Sequence, residues 1–236
     1  MLNSVELKRI ALDVGFDACG VAQADALTDE EYPLRQWLAK GWHGDLAYME
    51  RNLDKRMDPR LLLPGAKSVI CCVSAYPPPT SIGGVAAYAR TREYHEVVKN
   101  MLFLLKEHLG IDGKVCCDTV PISDKHWAAR AGLGWIGRHT LLVTPQWGSW
   151  VNLGEIVTTE ECDAYDSPIA SGCTDCNLCV DACPNHAIGE NMIDVRRCTA
   201  YYTTHHQREI PPDVDVHGYT QGCDICQLAC PFNKTI

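Results

Sequence analysis

No stretch of the 236-residue chain approaches the roughly 18 consecutive apolar residues of a membrane-spanning helix. The opening MLNSVELKRIALDVG lacks the basic segment followed by an apolar one that marks a secretory signal. Positive charge is also scarce. With 21 basic against 30 acidic residues the formal charge is −9, which excludes a broadly basic surface that would hold nucleic acid indiscriminately, although local basic edges such as KRMDPR and ARTREYH remain. No repeat of solenoid length runs along the chain. Residues 1 to about 165 contain no C-x2-C pair. These absences lead to the expectation of a soluble cytoplasmic protein with no membrane contact.

What is present is a substantial apolar fraction, 46%, with 22% charged residues, enough to bury a core. There are also 14 cysteines. In a small secreted chain they would suggest disulfides; in a long chain without a signal, regular spacing points to metal. Cys19, Cys71, Cys72, Cys116, Cys117 and Cys162 lie in the first part, most of them inside apolar runs, where cysteine behaves as a small buried hydrophobe. The remaining eight lie beyond residue 166.

The first part mixes helical and strand patterns. SVELKRIALDVGF sets Leu7, Ile10, Ala11 and Val14 on one helical face and stops at Gly15. Helices are expected from Glu30 to Lys40, over HEVVKNMLFLLKEHLG with Gly110 closing it, and over DKHWAAR. DACGVA, KVCCD, TLLVT and WVNLGEIVTT suggest strands, and the unbroken apolar run SVICCVSAY suggests a central strand covered on both faces. The expectation is an α/β (α+β) domain over 1–165 followed by a bacterial ferredoxin-like module over 166–236.

The late cysteines carry the strongest signal. Cys173, Cys176, Cys179, Cys183 and Pro184 spell C-x2-C-x2-C-x3-C-P; Cys223, Cys226, Cys230 and Pro231 spell C-x2-C-x3-C-P, with Cys198 between the blocks. In the bacterial ferredoxin pattern the fourth cysteine of a block ligates the other cluster. One [4Fe–4S] cluster then takes Cys173, Cys176, Cys179 and Cys230, and the other takes Cys183, Cys198, Cys223 and Cys226. Both sets are complete. Zinc on two C-x2-C pairs would leave Cys179 and Cys183 without a purpose.

A bare ferredoxin needs no partner domain of this size. AGLGWIGRH holds Gly132, Gly134 and Gly137, but a helix precedes it and a strand follows, which is the wrong context for a dinucleotide fingerprint. Two readings stand: a tight, closely packed turn, or backbone pressed against a large flat cofactor. With GFDACGVAQA, WLAKGWHGDLAYMERN, KRMDPRLLLPGAKSVI, YARTREYH, DTVPISDKHWAARAGLGWIGRHTLLV, LGEIVTT, RRCTAYYT and GCDICQLACPFN, this segment resembles the epoxyqueuosine reductase family over nearly the whole chain. That resemblance implies a cobalamin-binding domain joined to two [4Fe–4S] clusters, with cobalamin held base-off. The implied activity is reduction of epoxyqueuosine in tRNA to queuosine. It also implies tRNA as substrate, contacted at the anticodon region, an electron donor of flavodoxin or ferredoxin type, and action as a monomer. Asp118, in CDTVP, matches the family's proton donor; standing at a strand end, it is expected to be desolvated so that it stays protonated. Arg56, His95, Gly134, Gly137, His139 and Leu153 are the implied cofactor contacts.

The chain departs from the family in two places. Thr204, His205 and His206 stand where an acidic pair is usual, which leaves substrate recognition open, with the histidines read as polar surface. Many members carry C-terminal helical repeats, whereas this sequence stops at Ile236, so the expectation is either a short form or a truncated chain. Two other readings compete: a corrinoid and iron–sulfur reductase of another small molecule or of a corrinoid protein, and a non-catalytic electron carrier.

Overall fold

A computed structural model describes residues 1–90, 93–189, 192–206 and 209–233. Thr91 and Arg92, within the basic edge ARTREYH, lie outside the described residues. In chain order the first part runs α1 (Ser4–Asp13), β1 (Ala18–Gln23), α2 (Thr28–Ala39), α3 (Leu53–Met57), β2 (Ser68–Ala75), β3 (Gly84–Val85), α4 (Tyr94–Leu109), β4 (Lys114–Cys116), α5 (Asp124–Arg130), β5 (Trp135–Ile136), β6 (Leu142–Val143) and β7 (Val151–Thr158). The cysteine-rich part adds α6 (Leu178–Asp181), β8 (Ile188–Gly189), β9 (Met192–Ile193), α7 (Thr199–Thr204), β10 (Tyr219–Gln221) and α8 (Ile225–Leu228).

The main sheet has the order β1-β2-β7-β4, and every neighbouring pair is antiparallel. The fold is therefore α+β, since a doubly wound domain needs parallel strands joined by crossovers. β2 is central, and its first six residues are buried because helices cover both faces. On one face Leu7 and Ala11 of α1 and Val98, Leu102 and Leu105 of α4 pack over Val21, Ile70, Cys72 and Ile156. On the other, Trp127 and Ala128 of α5 with Leu27 and Met57 pack over Val69, Cys71, Cys116 and Val157. Cys71, Cys72, Cys116 and Cys117 are fully buried, acting as small hydrophobes.

Local stop signals work as the sequence suggests. Asn3 caps α1 by accepting from the Glu6 N–H at 2.9 Å, and the chain leaves the helix through Gly15 at φ +108°. Gly110 ends α4 in the left-handed conformation. Gly20 is needed for another reason: a Cβ there would lie 2.2 Å from the Ala131 carbonyl oxygen, where β1 meets the end of α5. Gly20→Ala should destabilise the protein by about 2 kcal/mol, because backbone on both sides must shift; chemical denaturation of the purified variant reads the change.

The cysteine-rich part is fastened along one end of the first. β10 pairs in parallel with β3, and the Asp224 carboxylate accepts from the Ala87 N–H at 3.0 Å. Ser149 receives Gln227 and Asn233, whose side-chain amides donate to its Oγ at 3.1 and 2.8 Å, while its N–H donates to Asn233 Oδ1 at 2.6 Å. Phe232 meets Trp135 edge-on, and Trp37 packs with Val195, Tyr201 and Tyr202. No helix among the described residues is long and apolar enough to cross a membrane.

Candidate functional site

Two cavities meet above the α5 face of the sheet. One, of about 760 Å³, is lined by Arg56, Asp118, Asp124, Lys125, His139 and Leu153, by apolar residues, and on its far wall by Cys183, Cys198, Cys223 and Cys226. The second, of about 820 Å³, is lined by Tyr48, Tyr88, Glu93, Tyr94, His95, Asp118, Thr204 and His205 among others. Arg56, Tyr88, Tyr94 and Asp118 belong to both walls.

The late thiols fall into two neighbourhoods. Cys179 and Cys230 feel the charges of Cys173 and Cys176; Cys223 and Cys226 feel those of Cys198 and Cys183. Cys226 also senses Cys179, which marks where the groups approach. Burial pushes the thiols of Cys179, Cys198, Cys226 and Cys230 up and that of Cys223 to about 11, so ligation by any of them would need a strong local positive charge that favours the thiolate. No three of the described His, Cys, Asp or Glu residues converge on a point that would hold a single metal ion. Of the eight, Cys173, Cys176, Cys179 and Cys230 are not among the residues lining the 760 Å³ cavity.

Asp118 follows β4 in a left-handed conformation, φ +56°, which aspartate tolerates better than most residues. Its Oδ2 accepts from Tyr94 Oη at 3.3 Å and lies 3.0 Å from His95 Nε2. Its side chain is 64% exposed, so the desolvation expected from the sequence is not supplied by this chain, because the carboxyl points into open cavity rather than into the core. His95 lines the 820 Å³ cavity only. It stands between Asp118 and Glu93, which accepts at its Nδ1; burial works against its charge, but hydrogen bonds to these two carboxylates outweigh it and raise the ring above its ordinary value.

Arg56 donates from Nη1 to the Ile122 carbonyl at 3.2 Å, and its buried Nε has no partner. His139 is almost fully buried and neutral, burial having lowered it to about 4. Its Nδ1 accepts from the Leu141 N–H at 3.2 Å, which puts the proton on Nε2, a buried donor without a partner. Leu153 lines the same cavity. Gly134 and Gly137 do not. A Cβ at Gly134 would lie 2.3 Å from the Val143 carbonyl and one at Gly137 2.8 Å from the His139 ring, so these glycines let β5 and β6 close and make room for His139. His206 is not surface: it packs on Tyr201 and Tyr202, with Asp45 3.6 Å from Nδ1, while Thr204 and His205 are exposed on the rim of the 820 Å³ cavity.

Sequence reasoning missed Tyr94, Lys125, Asp124 and Glu155. Lys125 donates to the Thr140 carbonyl at 2.6 Å and burial lowers it to about 8. Asp124 accepts from the Asp118 N–H at 3.2 Å. Glu155 is fully buried in β7, neither of its carboxyl oxygens has a hydrogen-bond partner, and burial pushes its carboxyl well above the ordinary range. An acid inside the apolar run WVNLGEIVTT was the available signal.

The comparisons agree with this geometry. Residues 56–119 match the family described as epoxyqueuosine reductase QueG, DUF1730, and residues 172–233 match the 4Fe-4S double cluster binding domain. The epoxyqueuosine reductase of Leadbetterella byssophila is 37% identical over 242 residues, covering 98% of this chain and 80% of the relative; that of Synechococcus sp. (strain CC9605) is 40% identical over 247 residues, covering 98% and 76%. Among solved structures, epoxyqueuosine reductase from Streptococcus thermophilus superimposes with a TM-score of 0.90 at 30% identity, covering 98% of this chain and 66% of that one. An epoxyqueuosine reductase bound to an epoxyqueuosine-modified tRNA-Tyr stem loop gives 0.91 at 31% identity, with 98% and 65% covered. The catabolic reductive dehalogenase NpRdhA shares the fold, with a TM-score of 0.65 at 17% identity over 96% of this chain and 31% of that one.

Proposed function

The chain belongs to the epoxyqueuosine reductase family, and from that membership we propose that it reduces epoxyqueuosine in tRNA to queuosine in the cytoplasm, acting as a monomer with two [4Fe–4S] clusters and base-off cobalamin. The observation that carries this reading is the position of Asp118, on the wall shared by two cavities, one of which ends on four cysteines. The reaction removes the epoxide oxygen as water and leaves an alkene, which takes two electrons and two protons. When bound, the clusters supply single-electron transfer and the corrinoid supplies the reducing centre at the epoxide.

The residues of the 760 Å³ cavity suit such a cofactor. His139 Nε2–H and Arg56 Nε are buried donors with no protein partner, as the carbonyl-rich rim of a corrinoid requires, and Leu153 and its apolar neighbours offer a flat surface. We assign Cys183, Cys198, Cys223 and Cys226 to the cluster beside the cavity, and Cys173, Cys176, Cys179 and Cys230 to the cluster that meets the flavodoxin- or ferredoxin-type donor. Asp118 Oδ2 delivers a proton to the departing oxygen, and His95 Nε2, 3.0 Å away, replaces it. Tyr48, Tyr88 and Tyr94 give the 820 Å³ cavity aromatic walls for a flipped base.

The test is reconstitution. Protein made anaerobically with cobalamin supplied, given reductant and an epoxyqueuosine-containing stem loop, should yield queuosine by nucleoside mass spectrometry, and omitting cobalamin should abolish the product. Corrin binding without queuosine would point to another substrate; no corrin binding would point to an electron carrier.

A further inference from the structure

One side chain beside Asp118 is held on three sides. The His95 ring lies face to face with Tyr94, its neighbour in the chain, with centroids 3.9 Å apart and planes 28° from parallel. Its Nδ1 meets Glu93 Oε1, and its Nε2 lies 3.0 Å from Asp118 Oδ2, the oxygen that also accepts from Tyr94 Oη at 3.3 Å. Glu93 is itself tied down. As the N-cap of α4 it accepts the Glu96 N–H on Oε2 at 3.0 Å, so one oxygen holds the helix and the other holds the ring. Among the described residues, Glu93 and Asp118 are the hydrogen-bond partners of the His95 nitrogens.

We propose that Glu93 is the positioning residue of His95: by accepting at Nδ1 it keeps one ring proton there permanently and leaves Nε2 as the site that passes a proton to Asp118. Its part in turnover rests on the reading of Asp118 as the acid. An ionised carboxylate only accepts, so the Nδ1 proton stays in place whether the ring is charged or neutral. Once Asp118 has protonated the departing oxygen it is a carboxylate, and the imidazolium can reload it. The Nε2–H bond breaks, the Oδ2–H bond forms, and the ring is left neutral with its lone pair on Nε2, to regain a proton from solvent in the 820 Å³ cavity. The charges suit this division. The bond to His95 chiefly holds the Glu93 carboxyl below the usual carboxylate range, and the ring is raised although burial opposes its charge. Tyr48, Arg56, Tyr88 and His205 face the ring from the other walls, and Lys99, one turn along α4, donates to Thr119 Oγ1 at 3.1 Å. Arg56 and Lys99 oppose the charge on His95, in the parent and in variants at Glu93 alike.

Nuclear magnetic resonance of the full chain, labelled with ¹⁵N-histidine and with its clusters oxidised, reads the ring without turnover; the His95 signals are those lost in His95→Gln. Where the ring is neutral, its proton should sit on Nδ1 and the lone pair on Nε2. Glu93→Gln still offers an acceptor to the Glu96 N–H but turns an amide donor towards the ring. The proton should then move to Nε2, and the proton affinity of His95 should fall roughly tenfold, its midpoint moving about one unit down in pH. Glu93→Ser, which caps α4 but gives the ring no carboxylate, should show the same lowered midpoint; a residue needed only as a cap would leave it unmoved. The alkaline limb of steady-state queuosine formation should shift down with the midpoint, because reloading needs the charged ring. If either variant is misfolded by circular dichroism, the other and the proton position in the parent decide. A neutral parent ring protonated on Nε2, or an unmoved midpoint in a folded variant, overturns the assignment. Full turnover by Asp118→Asn overturns the acid reading instead and leaves the ring measurements standing.

Discussion

Replacing Asp118 with asparagine should lower turnover by roughly 10²- to 10⁴-fold while leaving iron content and cobalamin binding at the parental level, the range over which a positioned proton donor contributes. The substitution is well suited to the question. Asparagine tolerates the left-handed backbone that Asp118 adopts, at φ +56°, and its amide oxygen still accepts from Tyr94 Oη at the same place. The backbone N–H that meets Asp124 is untouched. Shape, loop position and hydrogen bonds are thus kept, and only the transferable proton is lost. Because His95 is positioned to refill Asp118 and not to reach the substrate through it, the histidine should not compensate. Single-turnover measurement of queuosine formation, with cluster and corrin spectra recorded on the same sample, separates loss of chemistry from loss of cofactor. Undiminished turnover would remove Asp118 from the mechanism.

Cys230→Ala should abolish the cluster assigned above to Cys173, Cys176, Cys179 and Cys230, taking iron from about eight to about four atoms per chain, and leave the one assigned to Cys183, Cys198, Cys223 and Cys226 in place. Cys230 sits among Cys173 and Cys176 although it lies in the second motif, so the damage crosses from one sequence block to the other. The two clusters should also fail differently in function. The surviving quartet lines the 760 Å³ cavity, so a small chemical reductant should still drive turnover, whereas a protein donor docking at the lost cluster should not. Paramagnetic resonance of the reduced protein, which shows interacting clusters in the parent and a single isolated one in the variant, provides the check. Loss confined to the opposite quartet would refute the exchange of ligands.

How much of this was legible in the sequence follows physical lines. The unbroken apolar run at Ser68–Ala75 announced a strand with no solvent face, because periodicity reports burial directly. Gly110 announced the end of α4 through backbone conformation, and the cysteine spacing announced the 4Fe-4S double cluster binding domain that residues 172–233 match, because local thiol geometry is fixed by so few intervening residues. What stayed hidden depends on neighbours remote in sequence. The antiparallel order β1-β2-β7-β4 is set by connections that no single segment encodes. Gly134 and Gly137 pack against Val143 and His139, partners that fold back from further along the chain, so a cofactor role and a packing role look alike beforehand. His95 meets Asp118, 23 residues away, so it acquires its meaning only once strand and helix are placed. His206 reads as polar surface until Tyr201 and Tyr202 enclose it.

The four hydrogen bonds that Gln227 and Asn233 make at Ser149, together with the β3–β10 ladder, have a kinetic meaning. A redox module on a tether must search for its partner at every reducing event, and that search caps the throughput of many multi-part oxidoreductases. Here the thiol-bearing segment is stitched to the turn that leads into β7, an arrangement that would spare the protein such a search. The interval between first and second reduction is then governed by arrival of the external donor, and a fusion of that donor to this chain would be the direct way to shorten it.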